Sequence, residues 1–316
     1  MATYNMVREV TVAQIINKPF TTVEDQIKIL ERRGVICDHD TSRALMRQGY
    51  YAIINGYKAP FLDAEATRAA GEDRYLAGTR FDDIYALFRF DRDLRAITFR
   101  FLMIVESTLR SLISYCFCTA HPATEDYLRP ECYTRENGYL REGRDFEHDL
   151  DWMIDTLEKH ARGVVVDTAG MPEPSDVRVQ YYRDVHGGVP LWVLFTELTF
   201  GNLRYFYALM RRDEQKATCE RVRECCGRLS SLTPREMLDD LDIMVDARNI
   251  CAHEERLWCA KVGEDDSAAF PEVIATVKNY LTTADDAMLD EMLFGLARSY
   301  RGRNAVIDDV IDGLGI

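Results

Sequence analysis

DDIYALFRFDRDLRAITFRFLMIVESTLRSLISYCFCT, residues 82–119, holds neither proline nor glycine, and Leu87, Phe90, Leu94, Ile97, Phe101 and Ile104 recur in steps of three and four. That period is the apolar stripe of an α-helix. Unbroken over this stretch, the helix would be about 57 Å long and would serve as the spine of the protein. Helical periodicity recurs along most of the chain and strand alternation is almost missing, so the fold class expected is all-α, with long central helices and further helices at both ends.

Working outward, Thr21 or Thr22 reads as the N-cap of a first helix that stops at Gly34, and a second short helix follows Asp40. GYYAIINGYKAPFL (49–62) reads as an ordered connector: Gly49, Gly56 and Pro60 interrupt regular structure while its aromatics supply packing area. Beyond the spine, residues 120–145 are rich in proline, glycine and charge, and 162–176 reads as a loop. Helices are expected at 146–161, at 177–186, and at 190–210 with a break at Gly201. Thr233, Pro234 and Glu236 supply an N-cap, a first-turn proline and a capping-box glutamate, starting a helix expected to reach about Lys261. One or two helices at 271–299 and a short one in NAVIDDVIDGL follow. Three regions are expected: an N-terminal helical lobe with its aromatic connector (1–80), a helical core (81–262) and C-terminal helices (263–316).

A chain of 316 residues with 47% hydrophobic content can bury a substantial core. The start MATYNMVREVTVAQ lacks the basic-then-apolar order of a signal peptide, and no run of about 18 apolar residues is present. The expected location is the cytoplasm, with no membrane partner. The nine cysteines lack paired C-x-x-C spacing and read as small buried hydrophobes in a reducing compartment, with neither a structural zinc nor any other metal or cofactor expected. A net charge of -14 opposes general adhesion to polyanions, so any nucleic-acid contact must be local.

The chemically pointed stretch is RNICAHEERLW (248–258). On the helix from Pro234, Leu238, Leu241 and Val245 make a core stripe that Arg248 extends, while Asp246, Asn249 and His253 form a neighbouring polar ribbon. A long guanidinium stem can bring Arg248 round toward His253. The ordinary reading of such a string is an arginine paired with an acid across a helix interface, an asparagine on a backbone carbonyl and a neutral, satisfied histidine. On the spine helix, Arg89, Arg92, Glu106 and Arg110 lie close to one side, with Glu106 four residues before Arg110. Charged stripes on helices ordinarily meet solvent or brace a neighbour; the functional reading is that Arg110, held by Glu106, and Arg92 line an RNA groove beside the motif helix. Asp91 and Arg95 read as a structural pair, and the remaining histidines show no ligand or catalytic spacing.

In ordered blocks, the chain resembles the Abi-type abortive-infection proteins (the AbiD/AbiF-like group) of the HEPN superfamily: KPFTTVEDQIKILERRG, GYYAIINGYKAPF, FRFDRDLR, IVESTLR, PLWVLFTELTFGNL and RNICAHEERLW. The resemblance covers roughly residues 17–260. It implies a HEPN-type helical bundle and a metal-independent endoribonuclease whose R-x(4-6)-H motif falls on Arg248, Asn249 and His253. It further implies a homodimer in which two motif copies face one another, with RNA as the substrate; a regulatory RNA partner, and a toxin held by a protein or RNA antitoxin, are separate readings compatible with it. Histidine moves protons near neutrality, arginine suits phosphate oxygens, and asparagine can fix the histidine or the sugar. Asp246, Glu106, Arg110 and Arg92 would contact RNA or support the site. The expected products are a 2′,3′-cyclic phosphate and a 5′-hydroxyl, and DNA would resist for want of a 2′-OH. The rival class is a non-catalytic RNA- or protein-binding module in which the same residues grip phosphate.

Overall fold

The computed structural model describes residues 19–141, 143–164 and 176–316. The N-terminal stretch MATYNMVREVTVAQ and most of the 162–176 loop therefore lie outside the described residues. The described chain is all-α: it contains helices, turns and three isolated β-bridges, with no strand among the described residues. It divides into two compact units, one ending at Phe88 and one running from Arg89 to Ile316.

The first unit holds α1 (Val23–Arg32), α2 (Thr41–Gln48), α3 (Ala64–Ala70) and the opening turns of α4 (Phe81–Ala120). Of the two threonines, Thr22 is the cap: its Oγ1 accepts from the Asp25 amide at 3.2 Å. Gly34, at φ 103°, ends α1 in a conformation that costs a glycine little. The aromatic connector is ordered, and is more regular than its glycines suggest. Gly49 turns the chain at φ 81°, but Tyr51–Asn55 then forms a π-helical turn and Gly56 stays helical at φ -75°. Ile53, Ile54 and Phe61 are buried, and Tyr57 meets Phe88 edge-to-face with ring centroids 5.4 Å apart.

Helix α4 covers 40 residues without interruption. In the second unit its apolar stripe is buried at Leu94, Phe101, Leu102, Val105, Leu109 and Ile113, whereas Ile97 and Ile104 are only half-buried. The buried line is shared with polar groups, Asp91, Arg95, Thr98, Glu106 and Ser114, and this displaces part of the apolar stripe. One 18-residue window of α4 has a mean hydropathy of 1.4, enough by length and composition to cross a bilayer, which qualifies the expectation drawn from uninterrupted apolar runs. Half of that window is buried inside the protein, and the core helix of a globular protein has the same length and composition.

After α4 come α5 (Phe146–Arg162), α6 (Val177–His186), α7 (Leu191–Leu194), α8 (Phe200–Leu209), α9 (Arg212–Cys226) and α10 (Pro234–Ala252). The chain ends with α11 (Phe270–Asn279), α12 (Thr283–Tyr300) and α13 (Ala305–Gly313). The break expected at Gly201 falls earlier, between α7 and α8. Thr199 caps α8 by accepting from the Asn202 amide at 3.1 Å while Asn202 Oδ1 accepts from the Thr199 amide at 3.0 Å, leaving Gly201 inside the first turn. Phe206 of α8 packs edge-to-face on Phe117 of α4 (5.0 Å) and on Phe195 (4.9 Å). Helix α10 packs against α8, α9 and α11. Most cysteines are buried or half-buried, but Cys225 and Cys259 are exposed, so they are not the core hydrophobes expected of every cysteine.

Candidate functional site at the end of α10

The start of α10 follows its local signals. Thr233 Oγ1 accepts from the Glu236 amide at 3.3 Å, Glu236 accepts from the Thr233 amide at 2.7 Å, and Pro234 occupies the first turn, where no amide is needed. The far end departs from expectation. The helix stops at Ala252, not near Lys261, and His253 is its C-cap. Glu254 then adopts a left-handed conformation (φ 57°), and the Glu255 amide reaches back to the Ile250 carbonyl at 3.1 Å, closing a Schellman-type turn.

A distant carboxylate explains this stop. Asp91 of α4 is fully buried and its Oδ1 accepts from the amides of Leu257 (3.1 Å) and Trp258 (2.8 Å). Its Oδ2 takes a 2.5 Å bond from buried Arg95 one turn along. The pair expected to be structural is therefore the clamp that turns the chain away after the histidine. Helical continuation would have required those two amides for its own ladder. In the same motif, burial pushes the Cys251 thiol up to about 12, against the opposing pull of Arg95, so this sulfur stays protonated and unreactive near neutrality.

Arg248 has a quarter of its side chain exposed and faces α4. Its Nε lies 3.6 Å from Glu106 Oε2, and its Nη1 donates to Asn249 Oδ1 at 3.5 Å. Glu106 is buried, and its other oxygen accepts from Arg110 Nη2; Arg110 Nη1 donates to the Phe195 carbonyl, which the α7–α8 break leaves without a helical partner. The structure thus joins Arg248, Glu106 and Arg110 in one chain of charges, with Glu106 as the shared anion. Part of the ordinary reading holds for Arg248, because it does meet an acid across a helix interface. It does not hold for the histidine, since His253 and Asn249 are both exposed.

Asp246 is spent on structure: its Oδ2 accepts from the Gly263 amide at 3.1 Å. Arg92 does not converge on the motif. It is exposed, contacts Asp93 at 3.3 Å, and lies 14 residues from Glu106 on the same helix, about 21 Å along its axis. The residues gathered are therefore Arg248, Asn249 and His253, with Glu106 and Arg110 behind Arg248 and Asp91 with Arg95 behind the following turn. Chemically, the site presents a braced guanidinium and a solvent-reachable imidazole on successive turns, without a group of three or more His, Cys, Asp or Glu suited to a metal among the described residues.

An all-α chain with this helix-end site is the class that the geometry defines. The family model described as Abi-like protein matches residues 43–259, a span that includes α4 and all of the motif through Cys259. The chain belongs to this family and is an Abi-type abortive-infection protein, which places it in abortive-infection defence. No curated protein and no solved structure matches it.

Proposed function

We propose that the protein is a metal-independent endoribonuclease of the HEPN type, acting as a homodimer in which two copies of the Arg248, Asn249 and His253 constellation face one RNA strand. The observation that carries this reading is the position of His253: it sits exposed on a helix cap, one turn beyond an arginine already oriented by a buried carboxylate. In the reaction, the 2′-oxygen forms a bond to phosphorus and the bond from phosphorus to the 5′-oxygen breaks. One imidazole accepts the 2′-hydroxyl proton, and an imidazolium delivers a proton to the departing 5′-oxygen. Each chain contributes one motif histidine, and two copies supply both proton carriers. Arg248 neutralises charge on the phosphorane through its exposed edge, and Asn249 orients the sugar or the neighbouring imidazole.

The test is incubation of purified protein with end-labelled RNA and with DNA of the same sequence, in the presence of a chelator. Expected are RNA fragments ending in 2′,3′-cyclic phosphate, intact DNA, and a loss of about 10²- to 10⁴-fold in rate for His253→Ala, with a comparable loss for Arg248→Ala. Undiminished cleavage by His253→Ala would refute the assignment. RNA binding without cleavage by the wild-type protein would favour the rival reading, a binding module.

A further inference from the structure

A cavity of about 280 Å³ lies beside α10, walled by Arg141, Arg144, Arg204 and Arg235 and floored in part by Asp242 and Asp246. Four guanidiniums in one cavity are unexpected in a chain of net charge -14. Among the described residues, the carboxylates at the cavity are largely committed. Asp246 accepts the Gly263 amide, and Arg235 is engaged by Asp239 at 3.0 Å and Glu264 at 3.4 Å. That leaves Asp242 to serve two arginines, bonded to Arg204 and 3.5 Å from Arg141. Arg141 Nε and Arg204 Nε are buried and make no hydrogen bond among the described residues, and Arg141 Nη1, also buried, has only the 3.5 Å contact with Asp242 Oδ1.

Buried donors without acceptors are costly, and charged ones more so. These are also held in place: both guanidiniums lie against the ring of Tyr205, at 4.7 Å for Arg141 and 5.2 Å for Arg204, and Trp152 packs on that ring at 5.1 Å. Rigid, underpaired, forked donors around a small cavity match the oxygens of a phosphate group.

The position on α10 indicates the source of that phosphate. Asp242, Asp246, Asn249 and His253 are spaced by four, three and four residues, so all lie on one face of the helix. From Asp242 to Asn249 is about 10 Å along the axis. The cavity and the reacting side chains are thus two stations along a single face.

We propose that the Arg141/Arg144/Arg204 cavity is an anion subsite that holds a phosphodiester of the bound RNA strand, away from the scissile phosphate. This rests on the ribonuclease reading for the identity of the strand, but phosphate binding at the cavity does not require cleavage. The subsite supplies local attraction that the acidic surface as a whole denies to a polyanion.

The test uses full-length His253→Ala protein, fluorescently labelled single-stranded RNA and a salt series, with inorganic phosphate as a separate ligand in thermal-shift titrations. Arg141→Met with Arg204→Met should weaken RNA binding at least tenfold, flatten the salt dependence by one to two phosphate contacts and abolish the phosphate-induced shift. Arg144→Ala, at an exposed position, should lower affinity in the same direction by a smaller factor. Asp242→Asn should do the reverse and tighten binding, because it removes the anion that competes with the ligand; a purely structural ion pair would give no such gain. A phosphate shift that depends on these arginines, combined with RNA binding that does not, would overturn the strand assignment in favour of a small phosphorylated ligand. No effect of any variant on either ligand would overturn the subsite altogether. Either result is independent of whether the wild-type protein cleaves RNA, so failure here and failure of the ribonuclease reading are told apart.

Discussion

Helix α4 carries two carboxylate–arginine pairs of the same spacing, Asp91 with Arg95 and Glu106 with Arg110, and each carboxylate reaches the motif segment by its other oxygen. Asp91 grips backbone, taking the amides of Leu257 and Trp258. Glu106 faces a side chain, the Arg248 guanidinium, at a looser 3.6 Å. The same local sequence device therefore serves two ends: fixed backbone partners make a clamp, whereas a partly exposed guanidinium is oriented yet retains donors for a ligand. A backbone amide has no alternative use, and an arginine has five donors to distribute.

The largest test of this contrast is Asp91→Ala. It removes the carboxylate bonded to buried Arg95 and the acceptor of two amides, and it should cost about 3–5 kcal/mol of unfolding free energy in a denaturant titration. Loss of less than about 1 kcal/mol would show that the clamp is not what holds the turn. Glu106→Gln retains shape and hydrogen bonding but removes the shared charge. Its expected signature is a drop of roughly 10-fold or more in RNA cleavage with a Tm shift much smaller than that of Asp91→Ala, read by kinetics and calorimetry on the same preparations. Equal stability losses in the two variants would erase the distinction between clamp and brace.

A third carboxylate sharpens the comparison because no cation pairs with it among the described residues. Asp240 on α10 accepts from the Tyr280 hydroxyl at 2.8 Å, and burial pushes its pKa up to about 6 from an ordinary 3.8, the Tyr280 bond pulling the other way. A raised folded-state value means that the fold favours the protonated acid. This contribution is whole below about pH 4 and is lost as pH rises through 6. Asp240→Asn should therefore gain stability relative to wild type on going from pH 4 to pH 7.5, on the order of 2 kcal/mol in paired denaturation curves. A difference that is flat with pH would contradict the burial argument. The smallest effect expected is at Glu254, whose left-handed backbone disfavours a side chain: Glu254→Gly should stabilise by about 1 kcal/mol or less, as a Tm rise of a few degrees.

Local chemistry explains how much could be read beforehand. The start of α10 is written within four residues, Thr233 to Glu236, and the spine helix within one uninterrupted apolar period, so both were legible in sequence. The end of α10 was not, because Asp91 lies 166 positions before Leu257 and the left-handed residue is a glutamate, without the glycine that usually announces such a turn. Glu106 and Arg110 could be paired from their spacing, but their approach to Arg248 is a tertiary contact between α4 and α10 that no local pattern announces. Arg92 shares their stripe but lies too far along the axis. The arginine cavity left no trace in the sequence: its residues come from a connecting segment, α8 and α10, and no periodicity relates Arg141 to Arg204 or Arg235.

The double amide grip of Asp91 has one further consequence. Leu257 and Trp258 lie four and five residues beyond the histidine and carry amide protons tied to another helix, and hydrogen–deuterium exchange at these two positions should track the release of the motif segment from α4. They form a natural gauge, readable without substitution or label, of whether an effector tightens or frees the end of α10.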